Sequence, residues 1–366
     1  MNEHELAILR QFCLDAEPAS CTPYGCGHIN RTYLVATAGG RCYILQKINH
    51  HTFRDVAGLM ENIELVTEHL RRKSPDPRSV LTLIRTKDGK SCLEADDGYW
   101  RVFRFVEDSI CLQQPESDAD FYESAVGFGT FQQLLSDFPA EKLHETIPNF
   151  HNTPDRYRAF HETLTRDPMH RAAQVQPEIE FALARQAEMA ALQNALDAGE
   201  LPLRVTHNDT KLNNVLFDAK TRRALCIIDL DTVMPGSALY DYGDSIRFGA
   251  ATAAEDEREL DKMEMSLERF RVFTRGYVRA CPGLTQKELE LLPLGAKVMT
   301  MECGVRFLTD HIDGDNYFSI HREGQNLDRA HTQFKLVADM ERKWDKMKEI
   351  VNEEVQNAKE NGSCCI

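Results

Sequence analysis

The sequence is poor in the features that would fix its class at a glance. No run of about 18 consecutive apolar residues occurs, so no transmembrane helix is expected. The opening MNEHELAILRQF has neither a basic start nor a long apolar stretch, so no secretory leader is expected. There is no CxxC pair among the 11 cysteines, and Cys21 and Cys26 have no partners at zinc-site spacing. An odd number at irregular spacing points to free thiols in a reducing cytoplasm. The terminal GSCCI carries Ser363 where a prenylation signal needs cysteine. His50 and His51 form a bare pair without ligand spacing. Gly (20) and Pro (14) are too scarce for a collagen-like or low-complexity chain. Positive charge is also short: 43 Lys+Arg against 58 Asp+Glu leaves −15. A field of that sign repels phosphate backbones, so a nucleic-acid partner is not expected, nor a membrane. A local cationic pocket could still hold a nucleotide.

The remaining composition, 42% hydrophobic and 28% charged over 366 residues, is that of a folded globular chain with a large core. After a short first helix, residues 1–107 read as strand-rich. Tyr33–Thr37 and Arg41–Lys47 flank Gly39–Gly40 as a hairpin. Gly58–Arg72 places Leu59, Ile63, Val66 and Leu70 on one helical face, and Pro75 and Pro77 end it. Val80–Arg85, Ser91–Glu94 and Tyr99–Val106 read as three further strands, with turns at Asp88–Gly89 and Asp97–Gly98. Residues 108–366 read as mostly helical. Helices are expected over Asp118–Leu135, over Pro177–Ala198, from a capping box at Thr285 and Glu288 to about His311, and over Gln325–Val355. Leu203–Thr206, Val215–Phe217 and Ala224–Ile228 interrupt this part as short strands. The expected fold is therefore α+β: an antiparallel N-terminal lobe with one helix, and a helical C-terminal lobe, divided near 107.

The chemistry concentrates in VTHNDTKLNNVLFDAKTRRALCIIDLD, residues 205–231. His207, Asp209 and Asn214 stand as H-x-D-x-x-x-x-N, the catalytic-loop pattern of kinases. An apolar strand precedes this loop and a hairpin follows it, ending in Ile-Ile-Asp229. Phosphoryl transfer asks for charge neutralisation and in-line positioning more than covalent chemistry. Asn214 and Asp229 offer the hard oxygens that Mg²⁺ prefers. Asp209 would take the proton of an acceptor hydroxyl, and Lys211 would steady charge on the transferring group. Any one of these alone would read as a cap or turn residue; their common register favours catalysis. His207 reads as a packing residue. Asp241 and Asp244, in DYGDSIR, read as supports for a helix start and for the loop.

The N-terminal part adds a nucleotide-binding pattern. Gly25 and Gly27 lie before the first strand pair and would let backbone approach phosphate. Lys47, at the end of CYILQK, stands where a kinase places its phosphate-contacting lysine. Its helical partner is open among Glu61, Glu64 and Glu68, which share a face; Glu61 is preferred. Phe103–Glu107, centred on Phe105, would be a hinge meeting adenine through its backbone.

The loop HNDTKLNN, the strand IIDLD and the segment DYGDSIR resemble the aminoglycoside phosphotransferase and choline kinase superfamily. More narrowly, GCGHINRTY, QKINHHTF, DLDTVMPGSALYDYGDSIRF and RFLTDHIDGDNYF are similar to the N-acetylhexosamine 1-kinases. The resemblance implies a protein-kinase-like fold. It also implies transfer of the ATP γ-phosphate, with Mg²⁺, to the anomeric hydroxyl of N-acetylglucosamine or N-acetylgalactosamine. Carried over, Asp209 would be the base, Asn214 and Asp229 the Mg²⁺ ligands and Lys47 the phosphate lysine. Asn30 stands where a third glycine would complete the glycine turn, and would face substrate instead. A neutral sugar needs hydrogen-bonding groups and an aromatic platform; Phe248, Arg306, Asp310 and Tyr317 are the candidates. Against this, Glu302, Arg306 and Asp310 follow at i, i+4, i+8 and could simply pair. Another small-molecule kinase, acting on choline, ethanolamine, homoserine or an aminoglycoside, is the alternative, and a non-catalytic binding protein comes last. With no DFG, APE or activation segment, a protein kinase is not expected.

Overall fold

The computed structural model describes residues 3–25 and 29–362. Gly27 lies outside them. The chain divides into two compact units. The first takes the N-terminal stretch to Cys111, together with Asp137–Pro148 and Val215–Pro235. The second takes Leu112–Ser136, Asn149–Asn214 and the chain from Gly236 onward. The sequence reading divides the chain once, after 107. The structure divides it after 111 and brings two later segments back into the first unit. Strand pairing, described next, returns Val215–Pro235, and Asp137–Pro148 is held by hydrogen bonds between Asn62 and His144 and by the Lys73–Asp137 ion pair.

The first unit begins with helix α1 (Glu3–Leu9) and strands β1 (Pro18–Pro23), β2 (Arg31–Thr37) and β3 (Cys42–Ile48). Helix α2 (Val56–Lys73) follows, then β4 (Leu83–Ile84), β5 (Leu93–Ala95) and β6 (Gly98–Arg104). The sheet runs β1-β2-β3-β6-β4, with β5 also on β6, and every pairing is antiparallel. The β2–β3 hairpin turns through Gly40 at φ +83°, a conformation that costs glycine no Cβ clash. Helix α2 is opened by Asp55, whose carboxylate accepts from the Gly58 N–H at 2.9 Å, and ends in Arg71, Arg72 and Lys73. A second sheet orders β10 (Ala224–Ile227), β9 (Val215–Asp218) and β7 (Ser109–Cys111). Its Ser109↔Asp218 and Cys111↔Leu216 pairs are what return the hairpin, and with it Asp229, to the first unit.

Strand period sorts the main sheet into two faces. Leu45 pairs with Val102 and Lys47 with Trp100. Tyr43, Leu45, Trp100 and Val102 pack with Ile8, Leu9 and Phe12 into one core. Gln46 pairs with Arg101 and Ile44 with Phe103, so these four share the opposite face.

The second unit is helical: α3 (Asp118–Leu134), α4 (Thr153–Arg166), α5 (Gln176–Leu183), α6 (Gln186–Met189), α7 (Ala191–Asp197), α8 (Ala238–Gly249), α9 (Leu267–Ala280), α10 (Gln286–Asp313), α11 (Gln325–Arg342) and α12 (Trp344–Gly362). Strand β8 (Arg204–Thr206) lies between α7 and the loop that follows it. The expected capping box at Thr285 and Glu288 forms in both directions. Helix α8 lies against α10 so closely that a Cβ on Gly243 would stand 2.4 Å from the Gly295 carbonyl oxygen.

Two helices expected as continuous are broken. The stretch 177–198 forms α5, α6 and α7, because Arg185 bonds back to the Phe181 carbonyl and ion-pairs with Glu341 of α11. The stretch 325–355 breaks at Lys343, which reaches both Asp339 and the Met265 carbonyl. No helix among the described residues is long and apolar enough to cross a membrane. The eight described cysteines are all free.

Candidate active site

In the second unit the loop after β8 is held by side chains of α8. The Asp241 carboxylate accepts from the backbone N–H groups of His207 (2.9 Å) and Asn208 (2.8 Å), and from the Gln132 amide (2.8 Å). Asp244 accepts from the Thr210 N–H at 3.0 Å, and its other oxygen takes both Arg247 Nε and Nη2. Thr210 donates its hydroxyl to the Asp241 carbonyl, and Ser245 donates to the Thr210 carbonyl. A buried carboxylate accepting several N–H bonds fixes each donor's direction. The supporting role expected for Asp241 and Asp244 is thus what the geometry shows. His207 is fully buried, with the edges of Phe128 and Phe131 against its ring, and its Nδ1 accepts from the Asp209 N–H.

Asn208 adopts φ +65°, turning the chain so that Asp209 follows outward, with its side chain 29% exposed. Lys211 Nζ stands 2.9 Å from Asp209 Oδ1. Asn214 donates its amide nitrogen to the Asp209 carbonyl oxygen (2.8 Å) and to Oδ2 (3.2 Å). Burial pushes the Asp209 carboxyl up; Lys211, then His207 and Arg247, pull it further down, to a net value below that of an ordinary aspartate. Lys211 is correspondingly raised, first by the Asp209 charge. The loop therefore holds an ionised carboxylate against an ammonium, with the Asn214 amide bonded to the same aspartate.

Further along the second unit, His151 bridges this loop to α10. Its Nδ1 meets Glu302 at 2.7 Å and its Nε2 meets the Asn208 carbonyl at 3.1 Å. One helical turn beyond Glu302, the Arg306 guanidinium lies over the rings of Phe150 (5.2 Å), Phe318 (5.4 Å) and Tyr317 (5.7 Å). Tyr317 is 62% exposed and its hydroxyl stands 3.4 Å from Arg306. Burial and the like charge of Arg306 lower the pKa of Arg156, so two guanidiniums crowd this place. The structure brings Arg306 and Tyr317 together. Phe150, Phe318 and Arg156 belong with them and carry no sequence signal of their own. Asp310 points elsewhere, accepting from the Asn316, Tyr317 and Phe318 N–H groups to fix that loop. Phe248 is half-buried near the end of α8 and is not among the rings over which Arg306 lies.

The first unit holds the other expected residues. Asp229 takes a left-handed conformation (φ 57°, ψ 59°), one that aspartate tolerates better than most residues, and opens a short helical turn, Leu230–Thr232. Lys47 faces the α1 side of the sheet and pairs with Asp97 at 2.6 Å. Glu61 is not its partner: that carboxylate meets His144 at 2.8 Å. The cation on the other face is Arg101, buried against Asp231. Asn30 donates to Asp231 Oδ2 at 2.6 Å and accepts from the Asn49 N–H at 2.9 Å, so its amide is engaged within the unit. Gly25 has φ +81° with open space around its Cα. Phe105, in the expected Phe103–Glu107 hinge, donates its backbone N–H to the Cys42 carbonyl at 3.1 Å.

Among the described residues no cluster of three or more His, Cys, Asp and Glu side chains could hold a metal ion. The donor chemistry of Asn214 and Asp229 nevertheless suits Mg²⁺, which binds through few protein oxygens and completes its shell with phosphates and water.

Residues 20–272 match the phosphotransferase enzyme family, APH. The chain belongs to that family. Among solved structures it is similar to an aminoglycoside phosphotransferase from Alicyclobacillus acidocaldarius (TM-score 0.61, 12% identity, 96% of each chain). It is also similar to choline kinase from Cryptosporidium parvum (TM-score 0.58, 12% identity, 96% of this chain and 98% of that one). A third is amicoumacin kinase hAmiN, solved with AMP-PNP, Ca²⁺ and Ami (TM-score 0.58, 14% identity, 92% and 93%). The protein has the fold of the small-molecule kinases, an antiparallel sheet part and a helical part, as the sequence leads one to expect.

Proposed function

We propose that this phosphotransferase moves the γ-phosphate of ATP, with Mg²⁺, to the anomeric hydroxyl of an N-acetylhexosamine, working in the cytoplasm. The observation that carries the choice of acceptor is the Arg306 cluster. An amino alcohol or an aminoglycoside is cationic and calls for carboxylates around it. Here two guanidiniums and three aromatic rings stand one helical turn from Glu302. Glu302 itself is occupied by His151 and by the Thr153 hydroxyl (2.6 Å). A neutral ring bearing hydroxyls and an amide suits such a surface; an ammonium does not.

In this mechanism Asp209 Oδ2 accepts the proton of the anomeric hydroxyl, which is more acidic than an ordinary sugar hydroxyl. Lys211, 2.9 Å from that carboxylate, favours its ionised form and would share its charge with the transferring phosphoryl group. Asn214 through its amide oxygen and Asp229 through its carboxylate would hold Mg²⁺. When bound, Mg²⁺ neutralises charge on the phosphate oxygens. Asp241 and Asp244 keep the loop in place while the acceptor binds.

The test is ATP consumption across a panel of free hexosamines, choline, homoserine and kanamycin. Turnover with N-acetylglucosamine or N-acetylgalactosamine, giving a product cleaved by an anomer-specific phosphatase, is the expected result. Turnover confined to choline or kanamycin would replace the acceptor. A protein that binds no Mg-ATP would be a non-catalytic relative.

A further inference from the structure

The first unit contains a buried ion pair that the mechanism above does not use. Arg101 on β6 and Asp231, two residues past Asp229, are 1% and 4% exposed. Nη2 donates to Oδ2 at 2.9 Å, and Nη1 stands 2.6 Å from Oδ1 as an ion-pair contact without hydrogen-bond geometry. Arg101 Nε donates to Gln46 Oε1 at 3.0 Å, and Gln46 donates in turn to Thr32. The guanidinium also lies over the Phe103 ring and beside the Met60 sulfur of α2. Asp231 is held from a third side by Asn30, which is itself fixed by the Asn49 N–H. Two residues on, the Val233 carbonyl accepts from Asn62 of α2 at 3.1 Å. The turn that begins at Asp229 is thus pinned to the sheet at Asp231 and to the helix at Val233.

Taking two charges out of water is costly, and an apolar pair of similar volume would often be as stable. What charge-assisted hydrogen bonds to one carboxylate oxygen add, here from Arg101 and Asn30 to Asp231 Oδ2, is direction. Asp229 sits in a left-handed conformation at the head of this turn, so what holds the turn also holds the backbone from which its carboxylate projects. Lys47 and Glu61, meanwhile, are each committed to other partners.

We propose that Arg101 and Asp231 are positioning residues for Asp229. By fixing the turn against β6 they aim the Asp229 carboxylate at the divalent cation that accompanies the nucleotide. The inference rests on the reading of Asp229 as a metal ligand.

The experiment is a Mg²⁺ titration of nucleotide binding, followed by displacement of a fluorescent ATP analogue, on the full chain carrying Arg101→Lys or Asp231→Asn. Binding needs no acceptor, so the result does not depend on which sugar is used. The Mg²⁺ concentration at half-maximal binding should rise about 10- to 100-fold, as for other partners that orient a metal ligand. A lower melting temperature with an unchanged Mg²⁺ midpoint would mark the pair as merely structural and overturn the proposal. Should these variants fail to fold, Asn30→Ala removes one hydrogen bond to Asp231 without stranding a charge. It should raise the midpoint in the same direction by a smaller factor, and an unchanged midpoint there would equally overturn the proposal. A wild-type chain that binds no nucleotide at any Mg²⁺ concentration would sink the kinase reading and this inference with it. A wild type that binds, with variants indistinguishable from it, sinks this inference alone.

Discussion

Lys47 and Arg101 stand on adjacent strands of one sheet and face opposite ways. Lys47 pairs across to Trp100 and turns toward α1, where Asp97 meets it at 2.6 Å. Arg101 pairs across to Gln46 and turns toward α2 and Asp231. The two cations therefore serve opposite faces of the sheet.

Lys47→Met should leave the KM for ATP within about twofold, because its partner is a partly exposed carboxylate on the α1 side. The stability cost should stay below about 1 kcal/mol, as for other ion pairs open to solvent. Thermal melting and steady-state kinetics at varied ATP check both. A large rise in the KM for ATP would return Lys47 to the phosphate role that its position in the sequence suggests.

Asp209 gives a signed pH prediction. Its carboxyl is held below the ordinary aspartate value, so it stays ionised as pH falls from 7 through 5 and is lost only below that range. Lys211→Met removes the largest lowering influence and leaves burial, which raises the pKa. The acid limb of the kcat profile should then move to higher pH. An unmoved limb would mean that Lys211 does not tune the base.

Asp241→Asn replaces a carboxylate that accepts from two loop N–H groups and from Gln132. One amide oxygen cannot serve all three, and the amide nitrogen faces donors. Misplacing a base by about 1 Å costs on the order of 10²-fold in rate. We expect kcat to fall by about that factor, more than either KM rises, in a chain whose circular dichroism still reports folded helices.

Gly243→Ala should be destabilising. The added methyl would meet the Gly295 carbonyl at 2.4 Å and the Met299 side chain at 2.6 Å, forcing α8 off α10. Overpacking of this kind costs about 1–3 kcal/mol. A thermal melt of the variant beside wild type measures it.

Arg306→Ala should raise the KM for the sugar while leaving the KM for ATP unchanged, since every contact of its guanidinium named here is aromatic or lies on the α10 side of the loop. Equal rises in both constants would point to general disruption.

Much of the fold was legible because its signals are local. The Gly39–Gly40 hairpin, the apolar stripe of α2 and the Thr285 capping box need only neighbouring residues. The loop from His207 to Asn214 was legible because its residues are close in sequence. The face that Lys47 takes also has a signal in the sequence. Tyr43 and Leu45 have the same parity as Lys47 and bury into the α1 core, which a two-residue period predicts. Arg101, between Trp100 and Val102, falls by the same period on the opposite face, where nothing local marks it as buried. That its partner is Asp231, 130 residues on, depends on tertiary packing. The same holds for the breaks at Arg185 and Lys343, which answer to Glu341 and Met265 rather than to any glycine or proline. The gathering of Phe150, Tyr317 and Phe318 on Arg306 joins segments more than 150 residues apart.

The hold of α8 on the loop sets an order of events during synthesis. The amides of His207, Asn208 and Thr210 find their acceptors only once Asp241 and Asp244 have been made and the helix bearing them has docked. That docking in turn leans on α10, which begins at Gln286. A nascent chain halted between the loop and α10 would carry every reactive side chain named here on the second unit's loop, yet lack the scaffold that orders them, so turnover should switch on late and abruptly as the ribosome passes α10.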